Sequence, residues 1–329
     1  MNFPRTICHE GLTGAGAPLI TGLGIDASIA DKIARFSMWC AQPGFLYLQP
    51  QRQALELIRA KNPAIKILVH FPIHTIWGVP GADSGYQSRF AEICARPGGL
   101  WKGTKRPNIT NIARLGEMID LWDEVLASGA YEGAMFDPTC AVNVPNWSDD
   151  GRFTYEAACL AAQRAALGQI FASLRGRHPR AILIGCGGPK ADFPDASYSV
   201  NGYWLENWPE QNPVGWSNVT RLCLDAPFKY AQPHFQVIAM ARASVDPQAM
   251  RFGLGTSCLF DGVFAYGPPD WKGSAHLDWI APEALPLGWL GQPIGAPWAL
   301  PGGLWTREFN GGSVTVNTTT RDATFVRRS

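Results

Sequence analysis

Residues 181–188 read AILIGCGG, an apolar run with no polar alternate positions that ends on glycines. A strand with one wet face alternates polar and apolar residues, whereas a strand covered on both faces does not. Double cover is the condition of a parallel sheet wrapped in helices. The stretch upstream, TYEAACLAAQRAALGQIFASLRGRHP (154–179), predicts a long Ala-rich helix, and YEGAMFDPT (131–139) before it predicts a strand. Further back, NIARLGEMIDLWDEVLASG (111–129) has apolar residues at helical spacing with Gly129 as its stop. AIKILVHF (64–71) is a strand, QRQALELIRAKNP (51–63) an amphipathic helix, and RFSMWCA (35–41) a short buried strand. Downstream come NGYWLENW (201–208), a helix near 216–230, the strand HFQVIAMA (234–241), the helix DPQAMRFGLGTSCLF (246–260) and the strand DGVFAYG (261–267). Seven strands are clear, and a degenerate one in GGLWKG (98–103), counted third, completes eight.

Strands separated by helices pair in parallel through right-handed crossovers. No G-x-G-x-x-G follows the first strand, so the dinucleotide-binding sheet has no support. The expectation is an α/β protein, a (β/α)8 TIM barrel over residues 1–300. The Thr- and Val-rich tail, with a Gly-Gly turn, predicts a short C-terminal antiparallel β hairpin over 301–329, packed on the barrel.

Composition narrows the function. Hydrophobic residues are 46% and charged residues 17% of 329, which supports a large core. A net charge of +1 without a basic block argues against nucleic acid. No apolar run reaches the length of a membrane span, and MNFPRTICHEGL lacks the basic and apolar regions of a secretion signal. The expected setting is therefore cytoplasmic or virion-associated. The eight cysteines form no C-x-x-C pair and read as reduced core residues. Thirteen tryptophans are many for this length, and each either packs in the core or lines a site that stacks on a flat ligand such as a sugar ring.

In barrels of this kind chemistry sits at the C-terminal ends of the strands. Two strands end on an acid after an apolar run, GAMFD at Asp137 and GYWLE at Glu206. Burying an unpaired carboxylate is costly, so each acid needs a reason. Glycoside hydrolysis supplies one, because it uses two carboxyl groups across the scissile bond in opposite protonation states. The aromatic neighbours Tyr203, Trp204 and Trp208 would raise the pKa of one of them. The plainer alternative is that each acid caps a helix or pairs with an arginine. His70 and His74 end the strand counted second and are read as substrate contacts. A metal-dependent hydrolase built on them lacks a third ligand at useful spacing, so neither metal nor cofactor is expected. Trp39, Asn207, Trp208, Tyr266, Asp270 and Trp271 complete the expected substrate-binding set. Asp261, at a strand start, reads as structural.

In order, ILVHF, YEGAMFDPT, GYWLENW, LFDGVFAYG and LGQPIGAPW…LWTREFNGGSVTVNTT resemble hypothetical glycosyl hydrolase family 15 over roughly residues 30–320. That family is distantly similar to endo-α-1,4-polygalactosaminidases. The most specific part is the last, carried by Gly291, Pro293, Gly295, Trp305, Arg307, Phe309, Asn310, Gly311, Val314, Val316 and Asn317. The resemblance implies a retaining enzyme acting on an oligo- or polysaccharide, with Asp137 as nucleophile and Glu206 as acid/base. The FDPTC reading after Asp137 departs from the family pattern, which has a polar residue directly after the acid. The rival from another class is a non-catalytic carbohydrate-binding or virion structural protein on a degenerate barrel.

Overall fold

The structure is a computed structural model. It describes residues 2–9, 20–21, 24–25, 27–41, 49–72, 100–101, 104–105, 112–137, 157–186, 199–206, 216, 231–234, 236–267 and 275–329. Eight parallel strands form one sheet: β1 (Ile7–His9), β2 (Met38–Ala41), β3 (Lys66–Pro72), β4 (Gly133–Asp137), β5 (Ile182–Cys186), β6 (Gly202–Glu206), β7 (Val237–Ala241) and β8 (Val263–Gly267). The sheet closes on itself. Thr6 bridges Phe264 in parallel, and the Phe264 amide donates to the Arg5 carbonyl at 3.0 Å. Following the paired residues once round the barrel returns to β1 displaced by eight residues. That stagger, about one residue per strand, belongs to the (β/α)8 barrel.

The expected count of eight is right, but one of its members changes. The first strand is β1, which the sequence did not announce. Leu100–Trp101 instead pairs antiparallel with Thr104–Lys105 in a two-stranded ribbon outside the barrel. His70 therefore lies on the third strand, directly beside the fourth, while Asp137 and Glu206 keep their places on β4 and β6.

Helices α1 (Ala27–Ile33), α2 (Gln49–Lys61), α3 (Ile112–Ala127), α4 (Ala157–Arg177) and α5 (Pro247–Leu259) are described between strands. The helix expected near 216–230 lies outside the described residues apart from Trp216. Helix α3 buries Leu115, Met118, Ile119, Trp122, Val125 and Leu126, one stripe at helical spacing, and Gly129 at φ +71° lies just past its end. Trp122 meets Phe71 of β3 and Phe136 of β4, and Phe136 meets Phe171 of α4, at centroid distances of 5.2–5.9 Å. No helix among the described residues is long and apolar enough to cross a membrane.

The expected hairpin is the centre of a four-stranded antiparallel sheet: β9 (Trp298–Leu300), β10 (Leu304–Phe309), β11 (Gly312–Asn317) and β12 (Asp322–Arg327). Helix α5 is sandwiched between this sheet and the barrel, which is why Ala249, Met250 and every residue from Phe252 to Leu259 are buried. Asp246 caps it, its Oδ1 accepting from Gln248 N and Ala249 N at 3.0 and 3.1 Å. Two glycines make the sandwich possible. A Cβ on Gly253 would stand 2.2 Å from the Phe264 ring, and one on Gly255 would stand 2.5 Å from Ala323 Cβ. Arg307 of β10 then locks the helix end, donating to the carbonyls of Cys258 and Leu259 at 3.0 and 2.9 Å and pairing with Asp261 Oδ1 at 3.0 Å. Asp261 is structural, as its place before β8 implies. Glu308 pairs with Arg328.

Gly255→Val forces the sheet off α5 and is expected to destabilise the protein by about 1–3 kcal/mol. Thermal unfolding followed by circular dichroism would show this as a lowered Tm, and an unchanged Tm would contradict the packing.

Candidate active site

Alternation along the strands divides their side chains between two cores. Ile7, Met38, Cys40, Leu68, Met135, Ile182, Ile184, Cys186, Trp204, Val237, Ala239, Val263 and Ala265 form one buried cluster inside the barrel. Trp39, Val69, Phe71, Ala134, Phe136, Leu183, Tyr203, Leu205, Ile238, Phe264 and Tyr266 belong to the outer core beneath the helices. His70 stands two residues beyond Leu68 and Asp137 two beyond Met135, so both continue the inner set at the C-terminal mouth. They meet there, with His70 Nε2 3.4 Å from Asp137 Oδ2. The His70 side chain is 10% exposed and that of Asp137 36%.

The adjoining residues hold this pair from behind. Phe71 and Phe136 are fully buried and 5.4 Å apart in the aromatic cluster with Trp122. Below the pair lies a dry floor. Cys40 is fully buried, and burial together with the nearby Asp137 charge pushes its thiol pKa far up. Cys40 is therefore a neutral thiol at physiological pH, and the Asp137 carboxyl sits over an apolar base with one side open to solvent.

Glu206 is the last residue of β6, two positions past Trp204, with its backbone in register with Ala239. The rung after Phe136↔Gly185 runs through Cys186 to Trp204. Because level positions climb one residue per strand, position 206 stands at the height of position 137 with β5 between them. Four hydrogen bonds set β6 at this height. Asn201, fully buried, accepts at Oδ1 from Arg175 Nη2 at 2.7 Å and from Leu183 N at 2.8 Å, and donates to Pro233 O at 2.9 Å. Arg175 is itself partly desolvated, which lowers its pKa. Gln236 Oε1 accepts from Tyr203 N at 2.7 Å.

Two expected substrate contacts are corrected. Trp39 is fully buried in the outer core, since Met38 and Cys40 take the inward positions on β2. Tyr266 also faces outward. Its hydroxyl donates to Ser244 O and accepts from Asp246 N, both at 3.0 Å, so it fixes the start of α5. His74, Asn207, Trp208, Asp270 and Trp271 lie outside the described residues. Cys40 and Trp204 emerge instead as the floor of the mouth. Nothing in the sequence marked Cys40, because every residue of β2 is apolar, and Trp204 was marked only as an aromatic neighbour of the acids. Among the described residues no three His, Cys, Asp or Glu side chains gather to hold a metal.

A cleft of about 520 Å³ opens at the opposite, N-terminal end, lined by Lys66, Glu132, Arg177, His178 and Arg180 among others. Its one acid, Glu132, is committed to Arg59 at 2.9 Å and to Ile67 N at 2.7 Å. Beside it, Asp120 and Asp123 are committed to Arg177 at 2.7 and 3.0 Å, and Asp123 also to His178, so the described acids at this end serve to tie elements together.

The fold and its stagger define a class, the (β/α)8 TIM barrels. The glycoside hydrolase domain of PelA from Pseudomonas aeruginosa superposes with a TM-score of 0.50 at 13% identity, covering 83% of this chain and 97% of that one. An alpha-amylase from Geobacillus thermoleovorans, complexed with acarbose, gives 0.54 at 10% identity over 95% and 87%. Alpha-L-fucosidase isoenzyme 2 from Paenibacillus thiaminolyticus gives 0.51 at 14% over 84% and 48%. At these identities the likeness establishes the shared fold. No family model matches the chain, and no curated protein matches it.

Cys40 is expected to resist a thiol reagent in the native protein and to react on unfolding. Fast native labelling of Cys40, mapped by mass spectrometry, would contradict the dry floor beneath Asp137.

Proposed function

We propose that the protein is a glycoside hydrolase that cleaves an oligo- or polysaccharide with Asp137 as nucleophile and Glu206 as general acid/base. The observation that carries this reading is the placing of an acid at the mouth of β4, level with the acidic end of β6. The fold neighbours support it, and the names alpha-amylase and alpha-L-fucosidase favour an α-linked substrate. Asn207, Trp208, Asp270 and Trp271, directly after β6 and β8, together with His74 after β3, are assigned to the sugar subsites. Trp208 and Trp271 would stack on sugar faces.

In the reaction, an Asp137 oxygen forms a bond to the anomeric carbon while the glycosidic C–O bond breaks. Glu206 gives its proton to the departing oxygen. Glu206 then takes a proton from water, whose oxygen displaces Asp137 and restores both groups. The mechanism requires unequal surroundings for the two acids. Asp137 is partly solvated and contacts His70.

Purified protein incubated with a panel of α-linked polysaccharides is expected to release reducing ends. Glu206→Gln is expected to lower kcat by about 10²–10⁴-fold, and Asp137→Asn at least as far, with Tm unchanged. Turnover surviving both substitutions would overturn the assignment. Tight sugar binding without hydrolysis would transfer the protein to the carbohydrate-binding class.

A further inference from the structure

We propose that His70 is the positioning residue of Asp137. It holds one carboxylate oxygen, so that the other is presented to the anomeric carbon, and it stabilises the carboxylate when the sugar departs. This rests on the reading of Asp137 as nucleophile. The assignment comes from how the two side chains are held. Both belong to the inward set at the open end of neighbouring strands, where the register pairs Pro72 with Asp137 and His70 with Met135. His70 thus sits one rung below the carboxyl and reaches up to it. Its Nε2 faces Oδ2 at 3.4 Å, longer than an ordinary N–H···O bond, and contacts of this kind shorten when substrate binds.

The burial of the two partners is unequal in a telling direction. The His70 side chain is 10% exposed, whereas that of Asp137 is 36% exposed. A histidine meant to touch sugar directly would stand at the surface of the mouth. This one is set into the wall, and the acid stands above it. The floor leaves the orienting role to a polar neighbour, since Cys40 is a buried neutral thiol. Phe71, adjacent to His70, and Phe136, adjacent to Asp137, pack against each other on the far side of the wall. The His70–Asp137 geometry is therefore braced through the backbone. Against an ionised carboxylate Nε2 must carry hydrogen, so the imidazole donates and Oδ2 accepts. When Asp137 bonds to the anomeric carbon its charge is lost and this hydrogen bond weakens. When water displaces the sugar the charge returns and the bond strengthens again.

The test compares His70→Leu with His70→Gln, whose amide can donate from nearly the Nε2 position. His70→Leu is expected to lower kcat by about a hundredfold with KM within about twofold, as for a misplaced reacting group. His70→Gln is expected to recover at least about tenfold of that loss. A raised KM with unchanged kcat would make His70 a sugar contact and overturn the proposal, as would full activity of His70→Leu or no recovery in His70→Gln. A second readout does not depend on turnover. With 15N-labelled histidine, the His70 ring N–H signal should be protected from solvent exchange in the wild-type protein and lose protection in Asp137→Ala. Equal exchange in both would overturn the contact even if the protein hydrolyses sugars. Loss of protection in a protein that cleaves nothing would leave the contact standing and reject only the glycosidase reading.

Discussion

The closure of β8 onto the N-terminal segment is the constraint on which the structure depends. Strand β1 is three residues long, too short to hold by its own propensity. It is clamped on both sides, by β2 through Ile7↔Met38 and by β8 through Thr6↔Phe264. Just before it, Phe3 exchanges backbone hydrogen bonds with Leu290 and Gly291 at 2.7 and 2.9 Å. Arg5 stacks over the Phe3 ring at 3.7 Å, and burial lowers its pKa to about 10 against the pull of Asp261. Without this seam β1 and β8 would be open edges. The eight-residue stagger would have nothing to fix it, and positions 137 and 206 would have no common height.

The barrel divides its polar groups between two ends with different tasks. At the N-terminal end several of them form closed networks. Glu132 joins Arg59 to the Ile67 amide, Asn201 joins Arg175 to β5, and Arg307 joins Asp261 to the end of α5. Each removes the cost of an unpaired buried group and fixes where a strand begins. At the C-terminal end the polar groups stand over an apolar floor, with one face toward solvent. Asp137 combines a histidine contact, an apolar base and an open side.

Much of this was legible in the residues. Doubly covered strands such as ILIGC announced parallel pairing, and the terminal acids of GAMFD and GYWLE announced the mouth. Three things were not legible. Strand β1 consists of Ile-Cys-His, and its identity comes from neighbours distant in sequence, whereas the LW pair near residue 100 had stronger local propensity but no place in the sheet. The inward or outward parity of MWCA and VFAYG is invisible when every residue is apolar, so Trp39 and Tyr266 were assigned to the sugar when they pack beneath helices. The partnership of His70 with Asp137 needed the β3–β4 register, which no single strand encodes.

The claim that unites these parts is that two carboxyl groups, from β4 and β6, face one another over the mouth. A crystal structure with a sugar analogue in the mouth would measure their separation. The account predicts about 5–5.5 Å, the spacing of a retaining pair with Asp137 next to the anomeric carbon. Carboxyl groups well beyond about 9.5 Å, or a Glu206 side chain turned away from the bound sugar, would contradict it.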